Sequence, residues 1–469
     1  MLPKVLPAAP AQGLLRRRSA GILLSTILLL PCVGTALIAQ AGCPPSPSAD
    51  ARQSVAPVSG ASSKARTPCA GYSLTPEQRA KAISYSRAQY TLYFSGMLVS
   101  LLIYLLLWGS RASRLFRDWA QRASRHHFLQ CLIFVPLFWA ATSLLNFPLD
   151  YYAGFALERR YGLSTQRFAA WLADWAKSLG VTTLLGIIAA WLFYALVRRS
   201  ARRWWVYFWL ASIPLVLGFI LAEPYVIEPL FSRFTPLTKT QPALVERIEA
   251  MLHHAGLTIP PNRVFEMDAS SKTRTVDAYV SGLGASQRVV VWDTTLRIMT
   301  TDQLLLVLGH ETGHYVLDHI PKEFAADEDV ALVFSFLGFL VLTRLMERIR
   351  LRSDVQGVSD IASFPLALMV LTLLVFLSSP IVNGISRHFE HQADQFGLEV
   401  AYGVVADPNA AEVQSLQILG EEDLADPDPN PIIKFWLYTH PPLAERIRFA
   451  ANYRPWAQGQ PLTRLPNRR

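Results

Sequence analysis

The sequence predicts a mainly α-helical protein in which several membrane spans form a bundle and a smaller α+β portion lies outside the membrane. Two observations support this prediction. Hydrophobic residues make up 51% of the 469 residues and charged residues only 17%, whereas soluble globular chains carry ~25% charged residues. In addition, five uncharged stretches are each long enough to cross a ~30 Å hydrocarbon layer. The aromatic content of 11% also excludes a disordered chain.

The five long apolar stretches are residues 90–108, 128–149, 178–197, 204–222 and 361–386. A sixth apolar run, 330–343, is shorter and lies between Asp329 and Arg344. This run predicts either a span whose charged flanks reach the interface or a buried helix. The two alternatives stay open on the sequence alone.

The N-terminal run has two interpretations. Arginines at 16–18 precede an uncharged run from 19 to 43, which is either a signal peptide cleaved after Ala39-Gln40-Ala41 or a retained first span. The four cysteines of the chain are too few for a disulfide scaffold. Cys43 and Cys69 can pair if their segment faces an oxidising compartment.

These patterns divide the chain into four segments. Residues 43–75, rich in Pro, Ser and Ala, predict a flexible linker. A helix is expected to begin at Thr75-Pro76, because proline favours the first helical position. In order, the segments are an N-terminal anchor or signal (1–42), the linker (43–75), an N-terminal transmembrane domain of four spans (76–222) and a domain with two further spans at 330–346 and 361–386 (223–469).

The net charge of +9 indicates basic loops at a membrane surface. Three short connections, 111–125, 198–203 and 348–352, are rich in arginine. With six spans after the linker, all three lie on one side, which the positive-inside rule makes cytoplasmic. The soluble stretches 223–329 and 383–469 then lie together on the opposite side. No nucleic-acid-binding motif accompanies the charge, so we expect no nucleic-acid partner.

The strand signal lies within 223–329. Residues 288–292 form a short β-branched apolar run, and Gly282 and Gly284 before it predict a turn. Residues 276–281 can supply the partner strand of a hairpin. This hairpin is the β part of the predicted α+β portion.

The motif His310-Glu311-Thr312-Gly313-His314 is the sharpest chemical signal. Thr300 and Gln303 form a capping box that predicts a helix through the motif. One helical turn separates His310 from His314, so two neutral imidazoles can bind Zn²⁺ from one side. Glu311 projects beside the metal and can take a proton from a bound water. The alternative is a pair of capped or core histidines.

A third ligand is expected downstream, because the metzincin positions hold Leu317 and Ile320 and His319 is off that register. We expect His319 either at the surface or behind the ligands. On a helix, Asn383, Arg387, Glu390 and Asp394 share one face. Glu390 can ligate the metal, and Asp394 can accept the second ring N–H of a zinc-bound histidine. A solvated polar helix face is the alternative. Three protein ligands leave an open, catalytic position, and we predict one Zn²⁺ per chain.

The sequence resembles the CAAX prenyl protease type 1 family of membrane zinc metalloproteases, which cleave C-terminally prenylated proteins. The resemblance extends from about residue 74 to 452. Its strongest parts are the His310–His314 motif and the block 383–394. The other matching segments are residues 158–164, residues 227–231, Thr439-His440-Pro441-Pro442 and Arg446-Ile447.

The resemblance implies a ring of seven membrane helices around an internal chamber, which requires 19–43 to be a retained span. It also implies roles for individual residues: metal ligands His310, His314 and Glu390; catalytic glutamate Glu311; proton donor Asp394; contacts to substrate or oxyanion from Asn383, Arg387 and His440; and a substrate-binding strand at Asp277, Ala278 and Tyr279. Two features depart from the family. Asp277 stands where the family has Asn, and the family's zinc domain is cytosolic, whereas the arginine count places it outside.

The sequence therefore predicts a multi-pass integral membrane zinc metalloendopeptidase of the CAAX-processing type, with 223–469 as its peptidase domain. The expected partners are a peptide or protein substrate, with or without a prenyl group, and membrane lipid. We expect a monomer. Two alternatives remain: a quality-control protease for membrane proteins without a prenyl requirement, and a non-catalytic chamber protein that binds lipid or peptide.

Overall fold

The computed structural model describes residues 71–350 and 353–465. The N-terminal anchor or signal (1–42), the linker up to residue 70 and the Cys43–Cys69 pair lie outside the described residues. Arg352 of the third basic connection lies outside them as well. The predictions made for these parts stay predictions.

Helices dominate the described chain, as the sequence predicts. They are α1 (Pro76–Gly109), α2 (Ala112–Ala123), α3 (His127–Arg160), α4 (Phe168–Arg199), α5 (Trp204–Phe231), α6 (Leu237–Thr240), α7 (Pro242–Ala255), α8 (Asp293–Ile298), α9 (Thr301–Val316), α10 (His319–Arg350), α11 (Ile361–Ala401), α12 (Pro408–Glu422), α13 (Pro431–Leu437) and α14 (Leu443–Asn452). Single π turns lie within α3 and α5, at Tyr152–Ala156 and Glu223–Ile227, and α11 opens with the 3₁₀ turn Ile361–Ser363. Further 3₁₀ turns lie at Pro261–Arg263, Gly284–Ser286 and Pro455–Gln458.

Six of these helices in the described ranges, α1, α3, α4, α5, α10 and α11, are long and apolar enough to cross a membrane. The sixth apolar run is resolved in favour of a span, because it lies inside α10 and only 11% of the most apolar window of α10 is buried within the protein. The helix continues through its charged flanks, which are good helix formers. The helix α1 begins at Pro76, as expected, and the structure adds a capping box formed by Thr75 and Gln78.

The span α11 does not end at residue 386, where its uncharged stretch ends. It continues as one helix to Ala401, so the polar block 383–394 lies on the same helix as the last membrane segment. Likewise, α5 continues past the predicted end of its span at 222 to Phe231. The charged and polar side chains that follow the apolar run do not end the helix. The surroundings become polar at that point, but the helical backbone continues unchanged.

A four-stranded sheet lies outside the bundle, with strands β1 (Phe234–Pro236), β2 (Val264–Met267), β3 (Ala278–Ser281) and β4 (Arg288–Trp292) in the order β1-β2-β4-β3. The predicted hairpin is present: β3 and β4 pair antiparallel, and Gly282 adopts a positive φ of 86° after β3. The strand β3 is at the edge, and no strand among the described residues pairs with its second side. The other side of β3 pairs with β4, and apolar residues of β4 form a core with α7 and α9.

The basic connections share one end of the bundle. Arg117 on α2 forms an ion pair at 2.8 Å with Asp360, just before α11, and Tyr194 near the end of α4 contacts Ser363 at 3.1 Å. At the other end, the Ser73 backbone hydrogen-bonds Gln417 of α12 at 3.1 Å. The alternation of the spans therefore puts the arginine-rich connections opposite the sheet and the helices that follow it.

The helices α9 and α11 cross at very short range. A Cβ atom on Gly397 of α11 would lie 3.0 Å from the backbone nitrogen of His310 on α9. A Cβ on Gly309 would lie 3.1 Å from a methyl group of Val400, and one on Gly313 would lie 3.0 Å from the Phe396 ring. Glycines on both helices thus permit a backbone contact that larger residues would open.

We expect Gly397→Ala to destabilise the protein, because the added methyl group meets helix backbone that can only move as a whole. Overpacking of this kind costs about 1–3 kcal/mol. The matched control is Gly218→Ala in α5, whose new Cβ would meet nothing within 4 Å and which should be neutral or stabilising by about 0.5–1 kcal/mol. Thermal unfolding in detergent compares the two. Equal unfolding temperatures would contradict the close crossing.

Sidedness can be tested with an impermeant thiol reagent on intact cells, in a background without the native cysteines. The exposed positions Arg199 and His254 lie at opposite ends of the bundle. Because short arginine-rich loops resist translocation, we expect His254→Cys to be labelled and Arg199→Cys to be protected. The reverse pattern would give the orientation usual in the resembling family. Labelling of both would contradict the placement of Arg199 and His254 at opposite ends of the bundle.

Candidate active site

Three potential metal ligands meet where α9 crosses α11. His310, His314 and Glu390 are all buried, and their ligand atoms all lie within 4.8 Å of one another. The Nε2 atoms of the two histidines are 3.2 Å apart, and Oε2 of Glu390 lies 3.1 Å from Nε2 of His310. Two imidazole nitrogens and a buried carboxylate that converge in this way suit a divalent cation, since such groups are costly to bury without a partner at their centre. The donor set fits zinc.

A negative field surrounds His310. Burial opposes its protonation, but Asp394 and Glu390 outweigh burial and raise the pKa of the imidazole to about 9. The negative charge that favours protonation of the His310 ring also favours a metal cation, because the cation competes with the proton for a ring nitrogen lone pair. The electrostatics of the cluster therefore agree with its geometry.

The second nitrogen of His310 is held by Asp394, as the shared helix face predicts. Nδ1 of His310 lies 2.8 Å from Oδ1 of Asp394. Arg446 of α14 binds the same carboxylate with two nitrogens, Nη2 at 2.6 Å from Oδ1 and Nε at 3.0 Å from Oδ2. Asp394 thus accepts from a ring nitrogen and from a guanidinium at once. This contact set supports an orienting role for Asp394 more directly than the proton-donor role that the resemblance implies.

His319 is buried, with only 1% of its surface exposed, so the first of the two options, a place at the surface, is wrong. Its Nδ1 lies 2.8 Å from Nδ1 of His314. His319 therefore lies behind the candidate ligands, which was the second option. The helix register misled because the chain changes direction between α9 and α10, where Asp318 adopts a positive φ of 54°.

Glu311 lies beside the ligand cluster and not within it. Its Oε1 is 4.0 Å from Nε2 of His310, and 14% of its side chain is exposed. A carboxylate at this distance can reach a water that also contacts the cluster. The structure brings Glu311 to the position that the motif predicts.

His440 also reaches the cluster, because its Nε2 lies 3.0 Å from Oε2 of Glu390. Asn383 and Arg387, in contrast, direct their polar groups to the backbone of the segment before His440. Nδ2 of Asn383 donates to the Trp436 carbonyl at 2.6 Å. Arg387 donates to the carbonyls of Lys434 and Tyr438. These two residues therefore fasten α13 and the chain that leads to His440.

The predicted substrate strand corresponds to the edge strand β3. Ala278 and Tyr279 lie in β3, whereas Asp277 precedes it and uses its backbone N–H and carbonyl to bond the Thr295 hydroxyl, at 2.8 Å and 2.7 Å. The Tyr279 hydroxyl donates to Glu228 at 3.2 Å. Tyr315 of α9 donates to the Gly282 carbonyl at 3.1 Å and ties the end of β3 to the motif helix.

Two further residues were given no role by the sequence. Arg446 appeared only as part of a matching segment, and its contact with Asp394 depends on how α14 packs. Glu412 of α12 is fully buried behind it, where burial and the charge of Asp394 raise the pKa of this carboxyl to about 7. The helix α14 also carries the charged residues Glu445 and Arg448, so nothing local singled out Arg446, and nothing local singled out Glu412.

Comparison with known proteins matches almost the whole described chain. Residues 63–233 match the family "CAAX prenyl protease N-terminal, five membrane helices", and residues 237–454 match Peptidase family M48. The Bacillus subtilis protein named uncharacterized metalloprotease YhfN is 32% identical, over 80% of this chain and 86% of its own.

More distant relatives carry the name CAAX prenyl protease 1 homolog. The Arabidopsis thaliana protein is 29% identical over 66% of this chain and 70% of its own, and the human protein is 26% identical over 73% and 77%. The crystal structure of S. mikatae Ste24p, at 24% identity, covers 81% of this chain and 90% of its own with a TM-score of 0.65, which shows a shared fold.

The converging ligands, the glutamate beside them and the bundle of spans agree with these matches. The chain belongs to peptidase family M48 and is a multi-pass integral membrane metalloendopeptidase of the CAAX prenyl protease type.

Proposed function

We propose that this metalloendopeptidase uses one zinc ion bound by His310, His314 and Glu390, with Glu311 as general base, and that it processes prenylated C-terminal peptides. The observation that carries the metal assignment is the buried cluster of three converging donor atoms with a partly exposed carboxylate 4.0 Å away. Two histidines and a glutamate are a typical ligand set of catalytic zinc, which keeps a further position open.

Zinc, when bound, supplies a Lewis acid that polarises the substrate carbonyl. Glu311 takes a proton from the attacking water and passes it to the amine that leaves as the peptide bond breaks. Asp394, held by Arg446, keeps the His310 ring in one orientation through the contact at Nδ1.

His440 is proposed to stabilise the oxyanion. The Thr439 hydroxyl lies 2.8 Å from Nδ1 of His440, and by donating there it leaves the ring proton on Nε2, the nitrogen that faces the cluster. An N–H directed at the developing negative charge stabilises the transition state more than the ground state. Asn383 and Arg387 support this role indirectly, since they hold the backbone that carries His440.

The substrate peptide is proposed to bind as an added strand along the second side of β3. Its backbone groups would pair with those of Ala278 and Tyr279, a recognition mode that fixes register without reading most side chains. Asp277 contributes to this register through the Thr295 contacts that fix the start of the strand.

An apolar cleft among the spans supports a substrate with a lipid chain. The cleft lies between α4, α5, α10 and α11, with Phe193, Trp204, Phe334 and Leu374 among its lining residues. Its lining on α11 extends to Val382, eight residues before Glu390, or about 12 Å along the helix axis. A chain attached near the scissile bond can span that distance. Several of the relatives are named as prenyl proteases, which supports the same substrate class.

Glu311→Gln should keep the metal and lose turnover, because an amide has no basic oxygen for the proton but does not disturb the ligands. Removal of a general base lowers rates by about 10²–10⁴-fold. Metal analysis and peptide cleavage on the same preparation provide the two measurements. Near-normal turnover would disprove the assignment of Glu311 as general base.

Glu390→Ala should lose most of the zinc, since it removes one of three protein ligands and leaves two histidines on one helix. The metal content of the purified variant, with Glu311→Gln as the matched carboxylate control, measures this. Full retention of zinc in Glu390→Ala would disprove the ligand assignment.

Substrate class is tested by cleavage of a farnesylated peptide and of the same peptide without the lipid. We expect preference for the farnesylated peptide, abolition by chelator and recovery on addition of Zn²⁺. Filling the cleft with Gly338→Leu should reduce the preference, because Gly338 lines it, while leaving cleavage of the plain peptide unchanged. Equal cleavage of both peptides by the unmodified enzyme would support a quality-control protease without a prenyl requirement.

A further inference from the structure

His319 has no role in the chemistry described so far, although its position is well defined. The ring is buried and lies against Phe389 of α11, with the ring centres 4.8 Å apart. One of its nitrogens, Nδ1, faces Nδ1 of His314 at 2.8 Å. The other, Nε2, faces Oε1 of Gln392 at 3.4 Å.

A tight junction between α9 and α10 places His319 at this position. The helix α9 ends at Val316 and α10 begins at His319, so only two residues connect them. Asp318 adopts the left-handed conformation, which aspartate tolerates better than most residues. Lys322 donates to the Leu317 carbonyl at 2.6 Å and satisfies one of the carbonyl groups at the end of α9. The junction folds the first residue of α10 back over the last turn of α9.

The protons in this chain of contacts have a single consistent arrangement once His314 binds metal through Nε2. A neutral ligand histidine carries its proton on Nδ1, so Nδ1 of His314 donates and Nδ1 of His319 must accept. His319 then carries its own proton on Nε2 and donates to Oε1 of Gln392. The amide nitrogen of Gln392 in turn donates to Nε2 of His388 at 2.7 Å.

We propose that His319 is a positioning residue that, together with Gln392, fixes the tautomer and ring orientation of the metal ligand His314. This inference rests on the proposed assignment of His314 as a ligand. The two ligand histidines are then held by different kinds of groups. His310 is held by a carboxylate and a guanidinium, whereas His314 is held by a neutral imidazole and an amide.

A neutral acceptor behind His314 has a chemical consequence. A carboxylate at that place would add a further negative charge to a pocket that already contains Glu390 and Asp394. An imidazole accepts the same hydrogen bond without adding charge, so the cluster keeps the balance that suits a divalent cation. Support of this kind for a ligand histidine is worth ~10–100-fold in metal affinity.

The test separates hydrogen bonding from packing by two substitutions at one position. His319→Leu fills the space and cannot accept a hydrogen bond, whereas His319→Gln offers a carbonyl oxygen to Nδ1 of His314. The full-length protein in detergent is stripped of metal and titrated with Zn²⁺ against a chromogenic chelator. The absorption spectrum of the Co²⁺ form reports ligand geometry independently of activity.

We expect His319→Leu to weaken Zn²⁺ binding ~10–100-fold and to shift the Co²⁺ spectrum, and His319→Gln to recover most of the affinity. Gln392→Leu should give a smaller loss in the same direction. The surface control His254→Leu, on α7, should match the unmodified protein. Thermal unfolding of the metal-free variants shows whether each still folds. If His319→Leu does not fold, His319→Gln still tests the inference.

Two outcomes would overturn the inference: Zn²⁺ affinity and a Co²⁺ spectrum unchanged in His319→Leu, or equal losses in the Leu and Gln variants, which would indicate packing alone. His314→Ala distinguishes this failure from failure of the proposed function. If His314→Ala loses zinc while His319→Leu retains it, only the inference is wrong. If His314→Ala also retains zinc, the ligand assignment itself fails, and the inference with it.

Discussion

The close crossing of α9 and α11 is the constraint on which the rest of the site depends. His310 and His314 lie on one helix and Glu390 on the other, so the distance between the carboxylate and the two imidazoles depends on how these helices cross. Glycines at 309 and 397 remove the side chains that would separate the backbones, and a Cβ at Gly397 would already lie 3.0 Å from the His310 nitrogen.

Burial of so many polar groups at that crossing requires charge balance. Glu311, Glu390 and Asp394 bring three carboxylates into the pocket, and Arg446 offsets one of them through its bidentate contact with Asp394. A divalent cation balances the remaining two, provided that both histidines are neutral. The raised pKa of the nearby Glu412 is consistent with this balance, because a fourth negative charge there is disfavoured. The polar groups thus form a set in which removal of one member leaves another buried without compensation.

The sequence was sufficient for the features that depend on local periodicity, namely the apolar spans, the capping box before the motif, the hairpin and the shared face of Glu390 and Asp394. It failed where contacts depend on chain reversal or on packing between distant elements. The place of His319 follows from a left-handed residue at 318, which helix register does not anticipate. The contacts of Asn383 and Arg387 with the backbone of 434–438 follow from the docking of α13 against α11, which no pattern in either segment encodes.

The site is also coupled to the membrane part through three spans, each of which contributes to it directly. The helix α10 begins with His319, which contacts His314, and α11 carries Glu390 beyond the apolar cleft. Tyr90 of α1 lies 2.7 Å from the Tyr438 hydroxyl, in the segment that leads to His440. Residues of both α10 and α11 line the apolar cleft, so the cleft and the candidate metal site are built on two of the same helices.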